Sequence, residues 1–303
     1  MLGTRLVTGF SIVGVVVLLV WLDELLGLAP WYPCWLLLSL ATFGASALEV
    51  IDLLNATSAK PSGNTVFGGV LAMVAANWAP HVTESFLRPP HIPVEVLHDP
   101  ALPIHALAWP LWGLTAVLMF AFIAQSAQFH KPGGTMATIS GTVLAVAYVG
   151  LLGSFLIQLR WLPHGVVPLA ALIATAKGAD VGAYSLGRMA GRHKLWPRLS
   201  PNKTVEGAFG GLILGLGAAM LVEAIARAWF GHPFLGWAGA AGYGVVVGSA
   251  AQLGDLMESM IKRDCARKDA SDAVPGYGGV LDVMDSLLFA APVAYGYWLL
   301  LGA

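Results

Sequence analysis

The chain has 303 residues, of which 57% are hydrophobic and only 11% charged, and its formal net charge is −1. Soluble domains carry about 25% charged residues, so a soluble fold of this composition would lack polar surface. The nearly balanced charge gives no sign of a nucleic-acid partner, and we expect none.

Apolar runs of about 15 to 25 residues recur along the chain, the length at which a helix crosses a bilayer. A membrane β-barrel would show short alternating segments instead. We therefore predict an all-α, polytopic integral membrane helical bundle with about nine transmembrane helices. The predicted spans are 6–28, 32–54, 65–79, 106–127, 136–158, 163–180, 205–229, 234–258 and 286–302.

The first apolar run has the charge pattern of a signal peptide, with Arg5 before it. No small-residue cleavage site follows, and the chain continues directly into another span. We therefore interpret residues 6–28 as the first transmembrane helix.

The basic residues predict the orientation, because cytoplasmic loops collect Lys and Arg. With the N-terminus inside, twelve of the sixteen Lys and Arg residues fall in inside loops, three fall in outside loops, and Lys177 lies in a span. This predicts an N-in, C-out protein of the inner, cytoplasmic membrane.

The outside loop at about 80–105 holds His81, His91, His98 and His105 together with several prolines. These spacings match no metal-ligand motif, so we expect a solvated loop rather than a metal site. The two cysteines, Cys34 and Cys265, show no zinc spacing, and we expect no disulfide between them.

Two stretches, 177–206 and 255–285, hold 19 of the 33 charged residues. On helices, their polar residues fall at spacings of three and four and form one stripe each. The stripes are Lys177, Asp180, Tyr184 and Arg188, and Gln252, Asp255, Ser259 and Lys262, with Glu258 beside the second. Acids at bilayer depth cost roughly 2.5–3.5 kcal/mol and mark functional sites. We predict a polar cavity open to the cytoplasm; the alternative is a pair of buried structural ion pairs.

The segment after the first stripe adds basic residues. Ser200 before Pro201 predicts a helix N-cap with proline in the first turn. Lys203 and Thr204 would then lie near a helix N-terminus, which attracts anions. Arg192, Lys194 and Arg198 add positive charge nearby, so the segment is a candidate phosphate site.

A glycine-rich turn, "PGYGG" at 275–279, follows the second charged stretch. Glycine allows backbone to approach a ligand closely. Asp282 and Asp285 come next at helical spacing. Carboxylates beside clustered Lys and Arg suit phosphoryl chemistry with Mg²⁺, which takes one or two carboxylates and leaves its other positions to water and phosphate oxygens.

These residues carry a family resemblance at conserved spacing. They are Ser259, Ile261, Lys262-Arg263, Lys268-Asp269, Ser271, Pro275-Gly276-Tyr277-Gly278-Gly279, Asp282 and Asp285. The pattern resembles the signature of the phosphatidate cytidylyltransferase family, also called CDP-diacylglycerol synthase. The block at 177–207 also looks like that family. The resemblance is strong over about 177–286 and generic in the N-terminal half.

Three positions depart from the family pattern. Tyr277 stands where the family usually has His, Val283 where it usually has Arg, and Val274 replaces a slightly larger apolar residue. Losing the Arg removes a bidentate phosphate contact. The departures indicate a divergent branch or a shifted specificity.

The resemblance implies transfer of a cytidylyl group from CTP to phosphatidic acid in the bilayer, giving CDP-diacylglycerol and pyrophosphate. It implies Mg²⁺ with K⁺ as a second cation, and a homodimer. Asp255 and Asp282 are the implied metal ligands, and the implied outer or ion-pair partners are Asp180, Glu206, Glu258 and Asp285. The implied catalytic set is completed by Lys203, Lys262 and Arg263. The implied substrate contacts are Arg188, Ser200, Lys268, Asp285, Gly278 and Gly279. Residues 1–135 would form the N-terminal transmembrane helices and 136–303 the catalytic region.

Three alternatives remain at this point. An ion-coupled transporter also places acids in the membrane, but it predicts matching halves that the chain lacks. A CDP-alcohol phosphotransferase needs an Asp-Gly motif that is absent from the chain, and a polyprenol kinase is a further neighbouring lipid enzyme. An inactive relative is indicated by Tyr277 and Val283.

Overall fold

The structure is a computed structural model that describes residues 2–82, 106–130 and 132–301. It divides into two compact units. Unit 1 comprises Met1–Gln158 and Asp269–Val283, and unit 2 comprises Leu159–Lys268 and Met284–Ala303. Each unit is helical over most of its described residues, which confirms the predicted all-α class.

The described part of unit 1 is mostly helical. Its helices are α1 (Leu2–Leu25), α2 (Pro33–Asn55), α3 (Gly63–Ala76), α4 (Ala108–Ala127), α5 (Thr135–Val146) and α6 (Leu152–Gln158), with a π-helical turn at Ala147–Leu151 between the last two. The start of α2 shows how an acid is accommodated here. Pro33 occupies its first turn, and the buried carboxylate of Asp23 accepts hydrogen bonds from Cys34 N at 3.1 Å and Trp35 N at 2.9 Å. These two N–H groups have no partner within the helix.

A buried polar network lies in unit 1 where the solvated outside loop was expected to begin. Gln158 Nε2 donates to Asn77 Oδ1 at 3.1 Å, and Asn77 Nδ2 donates to Ser154 Oγ at 3.0 Å. His81 Nε2 lies 3.3 Å from Gln158 Oε1, and its side chain is buried. The expectation of solvent exposure is therefore wrong for His81. His91, His98 and His105 lie outside the described residues.

Unit 2 contains α7 (Val166–Ala190), the strands β1 (Lys194–Trp196) and β2 (Ser200–Thr204), α8 (Val205–Ile225) and α9 (Gly236–Asp264). A 3₁₀ turn at Leu159–Trp161 precedes α7, and a π-helical turn at Ala226–Phe230 follows α8. The strands pair antiparallel, with Lys194 opposite Thr204 and Trp196 opposite Ser200. The last helix, α10 (Val280–Leu301), has its first four residues in unit 1 and the rest in unit 2.

Small residues let α7 and α8 approach closely. A Cβ added at Gly210 of α8 would lie 2.5 Å from Leu186 Cβ and 2.6 Å from Gly182 O, both on α7. Such contacts are too short for any side chain, so the two backbones pack directly. Membrane helices commonly associate through small residues in this way.

Eight helices in the described part of the chain are long and apolar enough to cross a membrane. They are α1 to α4, α5 and α6 together, α7, α8 and α10. The remaining predicted span, 234–258, is the 29-residue helix α9, whose many Gly and Ala residues and charged C-terminal half make it less apolar. The count is thus close to the nine predicted. The C-terminal end of α7 also differs from the prediction, since this helix continues past 180 to Ala190.

Candidate functional site

The two predicted polar stripes lie on helices of unit 2, as expected. On α7, Lys177 Nζ lies 3.1 Å from Asp180 Oδ2. Ser286 of α10 joins this pair: its Oγ accepts from Lys177 Nζ at 3.0 Å and lies 3.3 Å from Asp180 Oδ2. About a third of each charged side chain is exposed. This pair is partly exposed, whereas Lys262 and Glu258 of the second stripe form a buried ion pair of the kind that the alternative interpretation expected.

Two further carboxyl groups of unit 2 surround the same ammonium group. Lys177 interacts electrostatically with Asp285 of α10 and Asp255 of α9 as well as with Asp180. Asp285 is buried and feels the like charges of Asp255 and Asp180. The residues Lys177, Asp180, Lys203, Asp255, Asp285 and Ser286 are here named the acid–lysine cluster. It holds more carboxyl than ammonium groups, which favours cations.

Lys203 enters the cluster from the β-hairpin. Its Nζ lies 2.8 Å from Asp255 Oδ2, and the two side chains are 25% and 37% exposed. Lys203 stands directly before Thr204, which caps α8 by accepting a hydrogen bond from Gly207 N at 3.1 Å. The predicted placement of Lys203 and Thr204 at a helix N-terminus is therefore confirmed.

The predicted helix cap at Ser200 is wrong. Ser200 begins β2, and the helix starts five residues later, after Thr204. Pro201 fixes a φ value that suits both a first helical turn and an edge strand, and pairing with β1 selects the strand. A role for Ser200 in substrate binding stays a prediction.

The remaining basic candidates of unit 2 lie outside the acid–lysine cluster or have other partners. Lys262 forms an ion pair with the fully buried Glu258 one turn earlier on α9. Arg263 Nη1 donates to Arg267 O at 3.0 Å, and Arg188 Nη1 donates to the hydroxyl of Tyr184 at 2.8 Å. Lys268 is exposed. Arg188, Arg263 and Lys268 are exposed and can therefore reach an anionic ligand, whereas Lys262 is buried.

Glu206 fastens the hairpin to α8. Its Oε1 lies 2.6 Å from His193 Nδ1, and its Oε2 accepts from Arg192 N at 3.0 Å. Glu206, Asp180 and Glu258 were each expected to be an ion-pair partner or an outer partner of the metal ligands. Glu206 pairs with His193, Asp180 with Lys177 and Glu258 with Lys262. A role of these acids around a metal ion stays a prediction.

The glycine turn of unit 1 has the predicted geometry. Gly276 and Gly278 have φ values of 85° and 105°, which other residues rarely adopt. A Cβ on Gly278 would lie 2.7 Å from Asp282 Oδ2. The backbone thus approaches a carboxylate of its own chain, and substrate contacts by Gly278 and Gly279 stay predictions.

Asp282 lies in the first turn of α10. Its Oδ2 accepts hydrogen bonds from Gly279 N at 2.7 Å and Ala270 N at 2.8 Å. These two bonds fix the carboxylate relative to both ends of the loop 270–279. An aspartate held in this way keeps one orientation, as a metal ligand needs.

The sequence analysis missed Glu49 of α2. This buried acid accepts hydrogen bonds from Ser271 Oγ at 2.6 Å, Val280 N at 2.9 Å and Leu281 N at 2.7 Å. The signal was present, because Glu49 is an acid inside the predicted span 32–54. The same reasoning that selected Asp180 and Asp255 would have selected it.

Among the residues that the structure describes, no group of three or more His, Cys, Asp or Glu side chains is placed to hold a metal ion. A site for Mg²⁺ does not need one, because this ion takes one or two carboxylates and completes its shell with water and phosphate oxygens. Asp255 and Asp282 each carry hard oxygen donors of the kind this ion prefers, and their joint role as ligands stays a prediction. Cys34 and Cys265 are both free cysteines.

The apolar helices and the acids among them define the class of protein, which is a polytopic integral membrane protein with a polar site. The sequence matches the Cytidylyltransferase family over residues 3–301, and the chain belongs to this family. The match extends well beyond 177–286, where the resemblance was recognised.

Several similar proteins are named phosphatidate cytidylyltransferase. A phosphatidate cytidylyltransferase of Synechocystis sp. is 29% identical over 281 residues, which cover 84% of each chain. The enzyme of that name from Bacillus subtilis is 35% identical over 162 residues, 53% of this chain and 58% of its own. That of Staphylococcus aureus is 37% identical over 155 residues, 50% of this chain and 55% of its own. The latter two matches thus span little more than half of those relatives.

Proposed function

We propose that this protein transfers the cytidylyl group of CTP to phosphatidic acid, forming CDP-diacylglycerol and releasing pyrophosphate. The observation that carries the proposal is the match to the Cytidylyltransferase family over almost the whole chain. Relatives of the chain bear the name of this reaction. Family membership also favours an enzyme over the transporter interpretation.

The reaction exchanges one phosphoanhydride bond for another. An oxygen of the lipid phosphate attacks the α-phosphorus of CTP, and the bond from this phosphorus to the bridging oxygen of the β-phosphate breaks. Pyrophosphate leaves with the electron pair. The nucleophile is already anionic, so the protein contributes positioning and charge neutralisation rather than a strong base.

Lys203 is the residue of the acid–lysine cluster best suited to neutralise phosphate charge. Its ammonium group is paired with Asp255 and partly exposed, next to the N-terminus of α8. A helix N-terminus adds favourable electrostatics for an anion. We infer that Lys203 turns from Asp255 to the phosphates of CTP, and that Arg188, Lys262, Arg263 and Lys268 add further contacts.

Membership of the family implies a divalent cation in general terms. We propose Mg²⁺, held by Asp255 and Asp282, with Asp285 beside the first of these acids. Bound there, the ion would neutralise charge on the phosphate oxygens. K⁺ as a second cation is part of the same proposal, and the structure supplies no separate support for it.

The location follows from the amphiphilic substrate. The acyl chains of phosphatidic acid stay in lipid while the headgroup enters a polar site among helices. We propose the inner membrane, with the active site facing the cytoplasm, where CTP is available. A homodimer is also proposed, on the family resemblance alone.

The test is incorporation of radiolabelled CTP by purified protein supplied with a panel of lipid phosphates, with and without Mg²⁺. With the label in the cytidine or the α-phosphate of CTP, we expect labelled CDP-diacylglycerol only when phosphatidic acid and Mg²⁺ are both present. Absence of nucleotide from every lipid would refute the proposed activity.

Two variants test the site. Asp255→Asn and Asp282→Asn should each lower turnover by about a hundredfold or more, in the range seen when charge stabilisation is removed. The matched control is Asp264→Asn, which changes an exposed acid at the end of α9. Wild-type turnover in both site variants would reject the assignment of the metal ligands.

A further inference from the structure

Glu49 occupies an unusual position for an acid of the N-terminal helices. It lies on α2 but accepts hydrogen bonds from two backbone N–H groups at the start of α10, those of Val280 and Leu281. It also accepts from the hydroxyl of Ser271, at the beginning of the signature loop. One buried carboxylate therefore holds both ends of the loop that precedes Asp282.

The first N–H groups of a helix have no partners within it. At α10 they are shared between two carboxylates. Glu49 takes the N–H groups of Val280 and Leu281, while Asp282 reaches back to that of Gly279 at 2.7 Å. Both negative charges lie at the positive end of the helix dipole, where they are stabilised.

The fit around Glu49 leaves no spare room. A Cβ on Gly279 would overlap the Glu49 carboxylate, so a side chain at this position would displace the carboxylate from its hydrogen bonds. Ser271 is fixed further, because its Oγ also accepts from Ala273 N at 3.2 Å. These contacts make the entry to α10 rigid, and Asp282 is the residue that follows Leu281 directly.

We propose that Glu49 is a positioning residue for Asp282, a role that rests on the proposed function. Glu49 touches neither substrate nor cation. It fixes the start and direction of α10 so that the Asp282 carboxylate is presented to the divalent ion in one orientation. Partners of metal ligands have this effect in other sites, and their loss costs 10–100-fold in affinity or activity.

The test is binding of Mn²⁺, a paramagnetic substitute for Mg²⁺, to the purified full-length protein, measured by electron paramagnetic resonance. In Glu49→Gln, an amide NH₂ group replaces one acceptor oxygen, so one N–H group of α10 loses its partner. We expect the dissociation constant for Mn²⁺ to rise about tenfold. Raised Mg²⁺ should restore most of the cytidylyl transfer.

The matched control is Asp23→Asn. Asp23 is also a buried acid of unit 1 that accepts from two backbone N–H groups at a helix start, in this case α2. We expect lower thermal stability but a dissociation constant within twofold of wild type. Unchanged Mn²⁺ binding in Glu49→Gln, or equal weakening in Asp23→Asn, would overturn the positioning role.

Two more variants keep the proposal open to refutation. If Glu49→Gln does not fold, Ser271→Ala removes one of the three hydrogen bonds that Glu49 accepts, together with the bond from Ala273 N. It should raise the dissociation constant about threefold; wild-type binding would count against the role. Asp282→Asn should abolish Mn²⁺ binding. Retained binding would show that Asp282 is not a ligand of the ion and would refute the positioning role of Glu49. Mn²⁺ binding that depends on Glu49 without any cytidylyl transfer would refute the proposed activity alone.

Discussion

A carboxylate among apolar helices needs partners for its negative charge. The acids of the acid–lysine cluster and those around the start of α10 have different kinds of partner. In unit 2, Asp180 and Asp255 are paired with the ammonium groups of Lys177 and Lys203, and all four side chains are partly exposed. In unit 1, Glu49 and Asp282 accept hydrogen bonds from backbone N–H groups. A lysine side chain can rotate away when a ligand arrives, whereas a helix N-terminus cannot.

The difference separates acids that can exchange partners from acids that fix the backbone. A carboxylate paired with a partly exposed lysine gives up little when it changes partner, since such pairs contribute about 0–1 kcal/mol. A buried carboxylate bonded to several N–H groups is expensive to disturb. Substitutions in the first group should therefore act on turnover, and substitution of Glu49 on stability or geometry. Asp282, the proposed metal ligand, should affect both.

The largest effect is expected for Lys203→Ala. This change removes the ammonium group that lies 2.8 Å from Asp255 and is best placed to neutralise phosphate charge. We expect kcat/KM for CTP to fall about a hundredfold, with little change in melting temperature. Steady-state kinetics of the purified protein would measure it. The control is Lys60→Ala in an exposed loop of unit 1; equal losses in both variants would contradict the comparison.

The second prediction tests, within unit 2, whether a buried acid bonded to backbone N–H groups affects stability rather than turnover. Glu223 of α8 is fully buried and accepts from Arg227 Nε at 2.6 Å and from Phe234 N and Leu235 N at 2.9 Å each. Because Glu223 accepts from two backbone N–H groups, we group it with Glu49 rather than with the acids paired to lysine. Glu223→Gln should destabilise the protein by about 2 kcal/mol while leaving turnover per folded molecule unchanged. Thermal unfolding in detergent would measure the loss of stability. A loss of turnover without a loss of stability would contradict the distinction between the two groups of acids.

A third prediction concerns the packing that brings Lys203 and Lys177 into one unit. Gly210→Ala places a methyl group against Leu186 and the Gly182 carbonyl and should destabilise the α7–α8 contact by about 1–3 kcal/mol. Gly217, on the same helix, has nothing within 4 Å of an added Cβ. Gly217→Ala is therefore the control and should be neutral or slightly stabilising. Equal melting temperatures for the two variants would be inconsistent with this packing.

The smallest effect is expected for Tyr184→Phe. The hydroxyl accepts a hydrogen bond from the exposed side chain of Arg188 at 2.8 Å. Its loss should change stability by less than about 0.5 kcal/mol, as for most surface substitutions. Turnover should stay within about threefold of wild type. A tenfold loss would place Tyr184 among the residues that act on substrate.

The sequence predicted well those features that depend on neighbours along the chain. Helical spacing brought Lys177 to Asp180 and Arg188 to Tyr184, and the glycine turn has positive φ values at Gly276 and Gly278. The prediction of a helix cap at Ser200 was wrong because the structure there depends on a contact with another strand and not on neighbours along the chain. The local signal at Ser200 fits a helix start, but pairing with β1 decided the strand.

Glu49 shows where sequence reasoning ends. Its partner Ser271 lies 222 positions away, and nothing in the local pattern connects the two. The lone acid in an apolar span was a visible signal, yet only the packing of α2 against the loop identified its partners. The roles of Asp255 and Asp282 as joint metal ligands stay a prediction.

Composition and periodicity by themselves determined that this is a helical membrane protein, where its helices lie and which short-range pairs form, because burial and hydrogen bonding within a helix depend on nearby residues. Only the tertiary structure decided which partner satisfies each acid, a backbone N–H group or a lysine. That choice depends on which elements meet across the fold, and it separates Glu49, which fixes the start of α10, from Asp180 and Asp255, whose lysine partners a ligand can replace.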